Sequence, residues 1–262
     1  MEITRFAAPL GARIDGVDVR SVTDSEWKEI NKHFLAHQVL VFPNQKLNEH
    51  EHMAFAKRWG KLVRHPYAGL KEFPEIIELR NVGKSRDINQ HWHSDMTYNP
   101  APPKFTMLYA RETPSIGGDT AFSNQILAYE ALSEGLKAVL ADLKAEHTAV
   151  GLAGQYKQSA EQAPNAIHPV VRTHDETKQR ALYVCRAFTH KFVGWSTRES
   201  KALLEFLYEH STRPEFQARH HWQPGDLVMW DNRSLLHYAV HDHGEDEVRT
   251  IHRLQVEGPA PA

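Results

Sequence analysis

The chain has 262 residues, 41% of them hydrophobic, so it is long enough and apolar enough to bury a sizeable core. Its formal net charge is -2, and it contains no basic run or long lysine and arginine stripe that would neutralise a phosphate backbone. Nucleic acid is therefore not an expected partner. No stretch approaches the ~18 consecutive apolar residues of a membrane span, so no membrane association is expected either.

Location and domain organisation are inferred from features that the sequence lacks. The first residues do not show a basic segment followed by an apolar one, and the only cysteine is Cys185, which agrees with a reducing compartment. We therefore predict a cytoplasmic protein. No repeat, low-complexity tract or linker rich in glycine and serine divides the chain, so we predict a single domain over residues 1–262.

Helices are marked by capping boxes, in which a small polar residue is followed three positions later by a glutamate. The pairs are Thr23 with Glu26, Asn48 with Glu51, and Ser196 with Glu199. The segments that follow each pair, up to His37, Gly60 and His210, are predicted to be helical.

Short β-rich runs lie between these helices, bounded by proline, glycine and asparagine turn signals. They cover residues 38–42, 75–79, 104–110, 181–185, 226–230 and 249–256. Many short strands with few helices between them predict an antiparallel sandwich or jelly roll with helices packed outside. A doubly wound sheet is disfavoured, because the sequence lacks both regular strand-helix alternation and a G-x-G-x-x-G turn.

The chain contains 18 histidines, and several of their clusters compete as metal sites. His50 and His52 fall in a predicted helix, where positions two apart point to different sides, so we expect a solvated helix face there. The run HDHGE, residues 241–245, is predicted to be an exposed loop that could hold a metal only weakly.

The stretch NQHWHSDMTY places His91, His93 and Asp95 at every second position. If it were a β-strand, all three side chains could point to one spot. Further along the chain, WDNRSLLHYAV supplies His237 after an apolar strand. His93, Asp95 and a distant histidine would form a face of two histidines and one carboxylate, which suits non-haem Fe(II) because it leaves three coordination positions open.

The last predicted strand, RTIHRLQV, carries Arg249 and Arg253 four positions apart. On a strand these two guanidinium groups share a face, where they could hold an anionic cosubstrate. The alternative is that both lie on the solvent side of an edge strand.

With WHSD, GGDTAF, WDNRSLLHYAV and RTIHR in one order, the chain resembles the taurine dioxygenase and 2,4-D (aryloxyalkanoate) dioxygenase family of Fe(II)/2-oxoglutarate enzymes. The resemblance runs nearly end to end. It implies a mostly β fold with flanking helices, in which a double-stranded β-helix forms a cupin-like jelly-roll core. It also implies Fe(II) as cofactor, 2-oxoglutarate and O2 as cosubstrates, and His93, Asp95 and His237 as the iron ligands, without His91.

The resemblance also assigns the anion and substrate positions. Thr120 and Arg249 match the pair that binds the distal carboxylate of 2-oxoglutarate, and Arg253 matches the arginine that faces the substrate anion. The matches to substrate-pocket positions of the taurine enzyme are His65, Tyr67, Asn89 and Phe188. The implied reaction hydroxylates a small organic anion next to a heteroatom, releases succinate and CO2, and leads to C–S or C–O cleavage.

Two departures from the taurine enzyme concern the substrate. The segment 150–167 is shorter than its counterpart, and Arg186 replaces an acidic residue, where it either adds an anion contact or lies on the surface. A taurine-like sulfonate is the expected substrate, with an aryloxyalkanoate or alkyl sulfate as alternatives. Two other functions stay open: a cupin-like protein that binds metal or anion without turnover, and a zinc hydrolase with the same ligands. By resemblance, a homodimer or homotetramer is expected.

Overall fold

The computed structural model of the chain describes residues 1–65, 68–82, 91–152, 163–244 and 246–262. Its α-helices are α1 (Asp24–His37), α2 (Glu49–Ala56), α3 (Gln125–Glu130), α4 (Glu134–Leu140) and α5 (Thr197–Ser211). Its strands are β1 (Glu2–Arg5), β2 (Ala12–Asp15), β3 (Val39–Phe42), β4 (Ile77–Val82), β5 (Phe105–Glu112), β6 (Thr120–Asn124), β7 (Lys144–Thr148), β8 (Asn165–Pro169), β9 (Val171–Thr173), β10 (Arg180–Leu182), β11 (Thr189–Phe192), β12 (Gln217–His220), β13 (Leu227–Asp231), β14 (Leu235–Ala239) and β15 (Val248–Val256).

The largest sheet has seven strands in the order β1-β2-β3-β13-β5-β15-β4. Its neighbouring strands are antiparallel, except that β2 runs parallel to β3. The central strand β13 shows why these residues form a strand that is covered on both sides. Leu227 and Met229 pack with residues of α1 and α2, whereas Val228 and Trp230 pack on the opposite face. Since side chains alternate along a strand, burial of both faces requires a continuous apolar run.

A smaller antiparallel sheet, β12-β6-β14, lies against this second face. Phe122 of β6 contacts Trp230 of β13, with ring centroids 5.5 Å apart, and both belong to the apolar cluster between the sheets. Two facing antiparallel sheets with helices outside form a jelly-roll core, so the predicted fold class is confirmed. The candidate site is lined by residues of both sheets.

A second apolar cluster joins α3, α4 and α5 to the sheet β11-β7-β8 and the hairpin β9-β10. It is built around Leu140, Phe192, Leu204 and Leu207, all of which are buried. This cluster packs the helices outside the sandwich, as predicted. Across the described ranges, no helix is both long and apolar enough to cross a membrane.

The three predicted helices are present, and all three capping boxes form with both of their hydrogen bonds. The second helix is shorter than predicted, since α2 ends at Ala56 and a 3-10 turn, Lys57–Trp59, continues the chain. The strand predicted at 75–79 lies instead at Ile77–Val82, and the one predicted at 181–185 ends at Leu182.

The idea that residues 89–98 form one strand is wrong for the part that the structure describes. His93 makes an isolated bridge to His237, and Asp95 already lies in a turn. Met96, directly after Asp95, has a φ of 51°, in the left-handed region that few non-glycine residues adopt. The alternation rule therefore does not explain how His93 and Asp95 come together.

Candidate active site

Three buried side chains from two distant parts of the chain converge at one point. His93, Asp95 and His237 each offer a ligand atom, and these atoms all lie within 4.8 Å of one another. The Asp95 Oδ1 atom is 3.6 Å from Nε2 of His93 and 3.6 Å from Nε2 of His237. Two imidazole nitrogens and one carboxylate oxygen around a common centre are a donor set that fits Fe(II) and leaves coordination positions open.

Backbone pairing places the two histidines side by side. The His93 N–H donates to the His237 carbonyl at 3.0 Å, and the His237 N–H donates to the His93 carbonyl at 2.8 Å. Their ring centroids are 4.1 Å apart. Because His237 belongs to β14, the smaller sheet fixes where the pair stands. The turn after His93 then brings Asp95 back toward both rings.

The orientation of the His93 ring is set by its own loop. Nδ1 of His93 is 2.7 Å from the His91 carbonyl oxygen, which can only accept, so Nδ1 carries the proton and Nε2 is available to a metal. The His91 side chain itself is exposed and takes no part in the three-residue cluster.

The protonation states of the site suit a cation. Burial and, to a smaller extent, the neighbouring His93 lower the pKa of His237 to about 4, so its imidazole is neutral near pH 7. Burial alone would raise the pKa of Asp95, but the His237 and His93 imidazoles and the Arg253 charge outweigh burial and hold it well below its usual range. Neutral imidazoles and an ionised carboxylate are the forms that bind metal.

A cavity opens beside the three ligands. Its polar wall carries Thr120, Arg249 and Arg253, the three residues predicted to bind anions. Its apolar wall comes from Leu79, Leu108, Trp230 and Ala239. The prediction that Arg249 and Arg253 share one face of the last strand is therefore correct, and that face points inward rather than to solvent.

Thr120 and Arg249 are joined through Trp222. The Trp222 Nε1–H donates to Thr120 Oγ1 at 3.0 Å, and the Arg249 guanidinium lies 5.6 Å from the centre of the Trp222 rings. The Arg249 Nε–H donates to the Gly118 carbonyl at 3.0 Å. The GGDT turn and the last strand thus hold a hydroxyl and a guanidinium on the same wall.

Arg253 lines the cavity, and His65, which does not line it, lies close enough to feel the Arg253 charge. Nε of Arg253 is buried and has no hydrogen-bond partner in the described ranges, and the same holds for Nε2 of His65. Burial lowers the pKa of His65 to about 4, and the Arg253 charge acts in the same direction. A guanidinium with an unpartnered Nε beside a neutral imidazole is a place where an anion would be stabilised.

The remaining predicted pocket residues have different outcomes. Phe188 packs edge-on against the His93 ring, with centroids 6.0 Å apart. Tyr67 and Asn89 lie outside the described residues. Arg186 does not line the cavity, because its guanidinium pairs with Glu205 at 2.5 Å and lies over the Tyr208 ring. The surface alternative for Arg186 is therefore the correct one.

Two histidine clusters differ from their predictions. His52 is not on a solvated face: it is 1% exposed and packs against Tyr109, and burial lowers its pKa to about 3. The loop at 241–244 is not an exposed chelating run either. His241 lines the cavity, His243 is buried, and Asp242 accepts a hydrogen bond from the Gly118 N–H at 2.9 Å.

Several residues of the site were not predicted from the sequence. His241, Trp230 and Asn81 line the cavity, and Thr106 and Gln255 contact Asp95. Trp230 is the last residue of the strand predicted at 226–230, but the neighbouring sequence does not indicate which face of the sheet its side chain lies on. Thr106 and Gln255 lie on strands predicted correctly, and only their pairing brings them to Asp95.

Comparison with known proteins agrees with this geometry. Residues 2–255 match the family described as taurine catabolism dioxygenase TauD, TfdA family. The chain is 34% identical to an alkylsulfatase from Acinetobacter baylyi, over 98% of this chain and 85% of that protein. It is also 34% identical to an alpha-ketoglutarate-dependent 2,4-dichlorophenoxyacetate dioxygenase from Cupriavidus pinatubonensis, over 86% of this chain and 87% of that protein.

Solved structures resemble it equally well. A taurine dioxygenase from Burkholderia xenovorans superposes with a TM-score of 0.89 at 33% identity, over 100% of this chain and 92% of that one. AAD-2, crystallised with Mn(II) and N-oxalylglycine, gives a TM-score of 0.86 at 30% identity, over 99% of this chain and 98% of that one. Sequence and fold thus agree over nearly the whole length, and the chain belongs to the TauD/TfdA family of dioxygenases.

Proposed function

We propose that His93, Asp95 and His237 hold Fe(II), that Thr120 and Arg249 bind the distal carboxylate of 2-oxoglutarate, and that Arg253 faces the anionic group of the substrate. The protein is an Fe(II)- and 2-oxoglutarate-dependent dioxygenase. The observation that carries this assignment is the single cavity in which the three ligands and the two arginines meet. Two guanidinium groups on one wall of this cavity favour bound anions, and 2-oxoglutarate and an acidic substrate would supply them.

When bound, iron supplies the activation of O2, with 2-oxoglutarate decarboxylated to succinate and CO2 as the substrate carbon is hydroxylated. The chain's own residues supply position and charge. Arg249, whose Nε–H donates to the Gly118 carbonyl, would hold the distal carboxylate through the charge of its guanidinium. Leu79, Leu108 and Ala239 keep the cavity apolar around the reacting carbon.

The proposed substrate is a small organic sulfonate or sulfate ester. The alkylsulfatase of Acinetobacter baylyi and a sulfate ester dioxygenase of Pseudomonas putida, 30% identical over 100% of this chain, support this class. Arg253, whose Nε has no hydrogen-bond partner among the residues that the structure describes, would bind the sulfur-linked oxygens. Hydroxylation of the carbon next to sulfur or to the ester oxygen gives an unstable product that releases sulfite or sulfate.

An aryloxyalkanoate is the second candidate. It is supported by the dichlorophenoxyacetate dioxygenase and by a phenoxypropionate dioxygenase of Sphingobium herbicidovorans, 32% identical over 91% of this chain. In that case Arg253 would bind a carboxylate, and Phe188 and Tyr98, which pack edge-on at 5.1 Å, would supply aromatic surface near the aryl ring.

The test is succinate formation by the purified protein with Fe(II), ascorbate and 2-oxoglutarate. Taurine, longer alkylsulfonates, alkyl sulfates and phenoxyacetates are compared, and the released sulfite, sulfate or phenol is measured separately. Faster succinate formation with a sulfonate or sulfate ester, matched by sulfite or sulfate, is the expected result. Stimulation by phenoxyacetates alone would favour the second candidate.

The same assay addresses the two alternatives from the sequence. A zinc hydrolase would release product in anaerobic buffer without 2-oxoglutarate, whereas the dioxygenase is silent there. A protein that binds metal and anion without turnover would form no succinate with any compound.

We also propose a single domain, a cytoplasmic location and a homodimer or homotetramer. The family match extends over residues 2–255 without division, which supports one domain. Cys185 is a buried, free thiol, in agreement with a reducing compartment. Light scattering of the purified protein measures the oligomeric state directly.

A further inference from the structure

The Asp95 carboxylate is held by hydrogen bonds on one of its two oxygens. Oδ2 accepts from the Thr106 hydroxyl at 2.5 Å and from the Gln255 side-chain amide at 2.9 Å. Both donors are 0% exposed. Thr106 and Gln255 are directly paired residues of β5 and β15, so the sheet presents them together. Oδ1 is the atom that faces His93 and His237.

A chain of hydrogen bonds fixes the direction of the Thr106 proton. The Asn232 side-chain N–H donates to Thr106 Oγ1 at 2.9 Å, and Asn232 Oδ1 accepts from the Trp230 Nε1–H at 3.0 Å. A tryptophan N–H can only donate, so the Asn232 amide has one possible orientation. Thr106 already accepts from Asn232, and its single proton therefore points to Asp95. All of these groups are buried, where each hydrogen bond is least exposed to competing water.

We propose that Thr106 and Gln255 are positioning residues that keep Asp95 a one-oxygen ligand of the metal. The inference rests on the proposed function, because it requires the metal between His93, Asp95 and His237. With Oδ2 occupied by two donors, rotation of the carboxylate toward the metal would break both hydrogen bonds in a buried environment.

The number of oxygens through which Asp95 binds decides how many coordination positions of the metal stay open. A carboxylate that binds through both oxygens takes two positions on an octahedral ion, and a carboxylate that binds through one takes a single position. Two histidines and a one-oxygen aspartate leave three positions, which is the number that a chelating cosubstrate and O2 require together. Thr106 and Gln255 thus preserve the open face of the site without touching the metal.

The experiment titrates Co(II), in place of Fe(II), into metal-free protein without 2-oxoglutarate or substrate. Thr106→Val keeps the shape of the side chain but removes the hydroxyl, and Thr106→Ser keeps the hydroxyl. We expect Thr106→Val to weaken Co(II) affinity by about 10- to 100-fold and to change the visible Co(II) spectrum, with Thr106→Ser close to wild type in both. The spectrum reports coordination geometry, which a merely structural role would not change.

Gln255→Met is the second variant, because it removes the other donor with little change in length. It should also weaken Co(II) binding and alter the spectrum. Thr189→Val is the matched control: Thr189 is buried and accepts a hydrogen bond from the Cys185 N–H at 2.9 Å, but it does not contact Asp95. We expect native Co(II) affinity in this control.

Native Co(II) affinity and spectrum in both Thr106→Val and Gln255→Met would overturn the proposal. Equal losses in Thr106→Val and Thr106→Ser would overturn it as well, since the hydroxyl would then not be the cause. Failure of the proposed function has a different signature: His237→Ala would bind Co(II) as tightly as wild type, which would show that the metal binds elsewhere and that Asp95 has no ligand role to position.

Discussion

At the scale of single residues, a buried network of charges lies at the turn that leads into the strand of His237. Asp231, at the end of β13, accepts hydrogen bonds from the buried Arg233 side chain and from His174 Nε2 at 3.0 Å. Burial alone would raise the pKa of Asp231, but the Arg233 and His174 contacts outweigh it and hold that pKa far below its usual range. Arg233 also reaches Asp175 and Glu176. This network fixes the turn between β13 and β14, and β14 is the strand that carries His237.

Breaking this network should be costly for folding. Asp231→Asn removes the buried carboxylate that Arg233 contacts through two of its nitrogens, so we expect the free energy of unfolding to fall by about 3–5 kcal/mol. Urea denaturation measures the change. Asp18→Asn is the control, because the Asp18–Arg20 pair is 42% and 45% exposed and should contribute at most about 1 kcal/mol. Equal effects in the two variants would contradict a stabilising role for the buried network.

The two cavity arginines should separate into different binding roles. Arg249→Ala removes the donors assigned to 2-oxoglutarate, and we expect 2-oxoglutarate binding to weaken by about 10- to 100-fold, in line with hydrogen bonds to a charged group. Arg253→Ala should leave 2-oxoglutarate binding close to wild type and raise the KM of the organic substrate instead. Calorimetric titration of 2-oxoglutarate and steady-state kinetics distinguish the effects, and the reverse pattern would exchange the two assignments.

At the scale of elements, the GGD turn before β6 joins the smaller sheet to the last strand. Gly118 has a φ of +68°, its N–H donates to Asp242, and its carbonyl accepts from Arg249. A Cβ at this position would lie 3.3 Å from Arg249 Cδ and 3.1 Å from Pro114 Cγ. The glycine is therefore required twice, by the backbone conformation and by the close approach of the arginine.

Gly118→Ala should accordingly affect the cosubstrate as well as the fold. We expect it to destabilise the protein by about 1–2 kcal/mol through the left-handed backbone and to weaken 2-oxoglutarate binding by displacing Arg249. Gly194→Ala separates the two effects, because Gly194 has a φ of +81° and no atom within 4 Å of the added Cβ. This control should lose similar stability but bind 2-oxoglutarate normally. Weakened binding in both variants would point to the backbone rather than to Arg249.

The helices and turns also show which sequence signals are enough to predict local structure. Capping boxes predicted the starts of α1, α2 and α5 because each hydrogen bond lies within four residues of chain. The strand predicted after His91 does not form. The conformation there depends on the pairing of His93 with His237, more than a hundred residues away, which local sequence does not indicate. The turn at Asp95 carries no glycine or proline signal, and its left-handed residue is Met96.

At the scale of the whole molecule, the sequence predicted the fold class and the candidate metal ligands. It did not predict the residues that surround those ligands. Alternation along the last strand was enough to place Arg249 and Arg253 on one face. The partners of Asp95 could not be found in that way, because Thr106 and Gln255 become neighbours only when β5 pairs with β15. His241 was misplaced for a similar reason: its polar loop is folded inward by the Asp242 contacts to Gly118 and Arg219.

Buried histidines in different parts of the molecule should make its free energy of unfolding depend on pH. His52, a buried residue of α2, packs against Tyr109, and Nδ1 of His147, on β7, lies 3.0 Å from Thr97 Oγ1. Burial is the main cause that lowers the pKa of each to about 3. In the unfolded chain a histidine has a pKa of about 6.5, so below that pH the unfolded state takes up protons that the folded state excludes.

The stabilisation is therefore complete above pH 6.5 and lost as the pH falls toward 3. Each of the two histidines should contribute about 1.4 kcal/mol per pH unit to the slope of the unfolding free energy between about pH 5.5 and 4. Urea denaturation of the metal-free protein at several pH values in this window measures the slope. His52→Phe should reduce it by about one such increment, because a ring that cannot titrate replaces the imidazole. His190→Phe is the control, because His190 is exposed, and it should leave the slope unchanged. If His52→Phe also kept the wild-type slope, proton uptake by His52 would not contribute to acid unfolding.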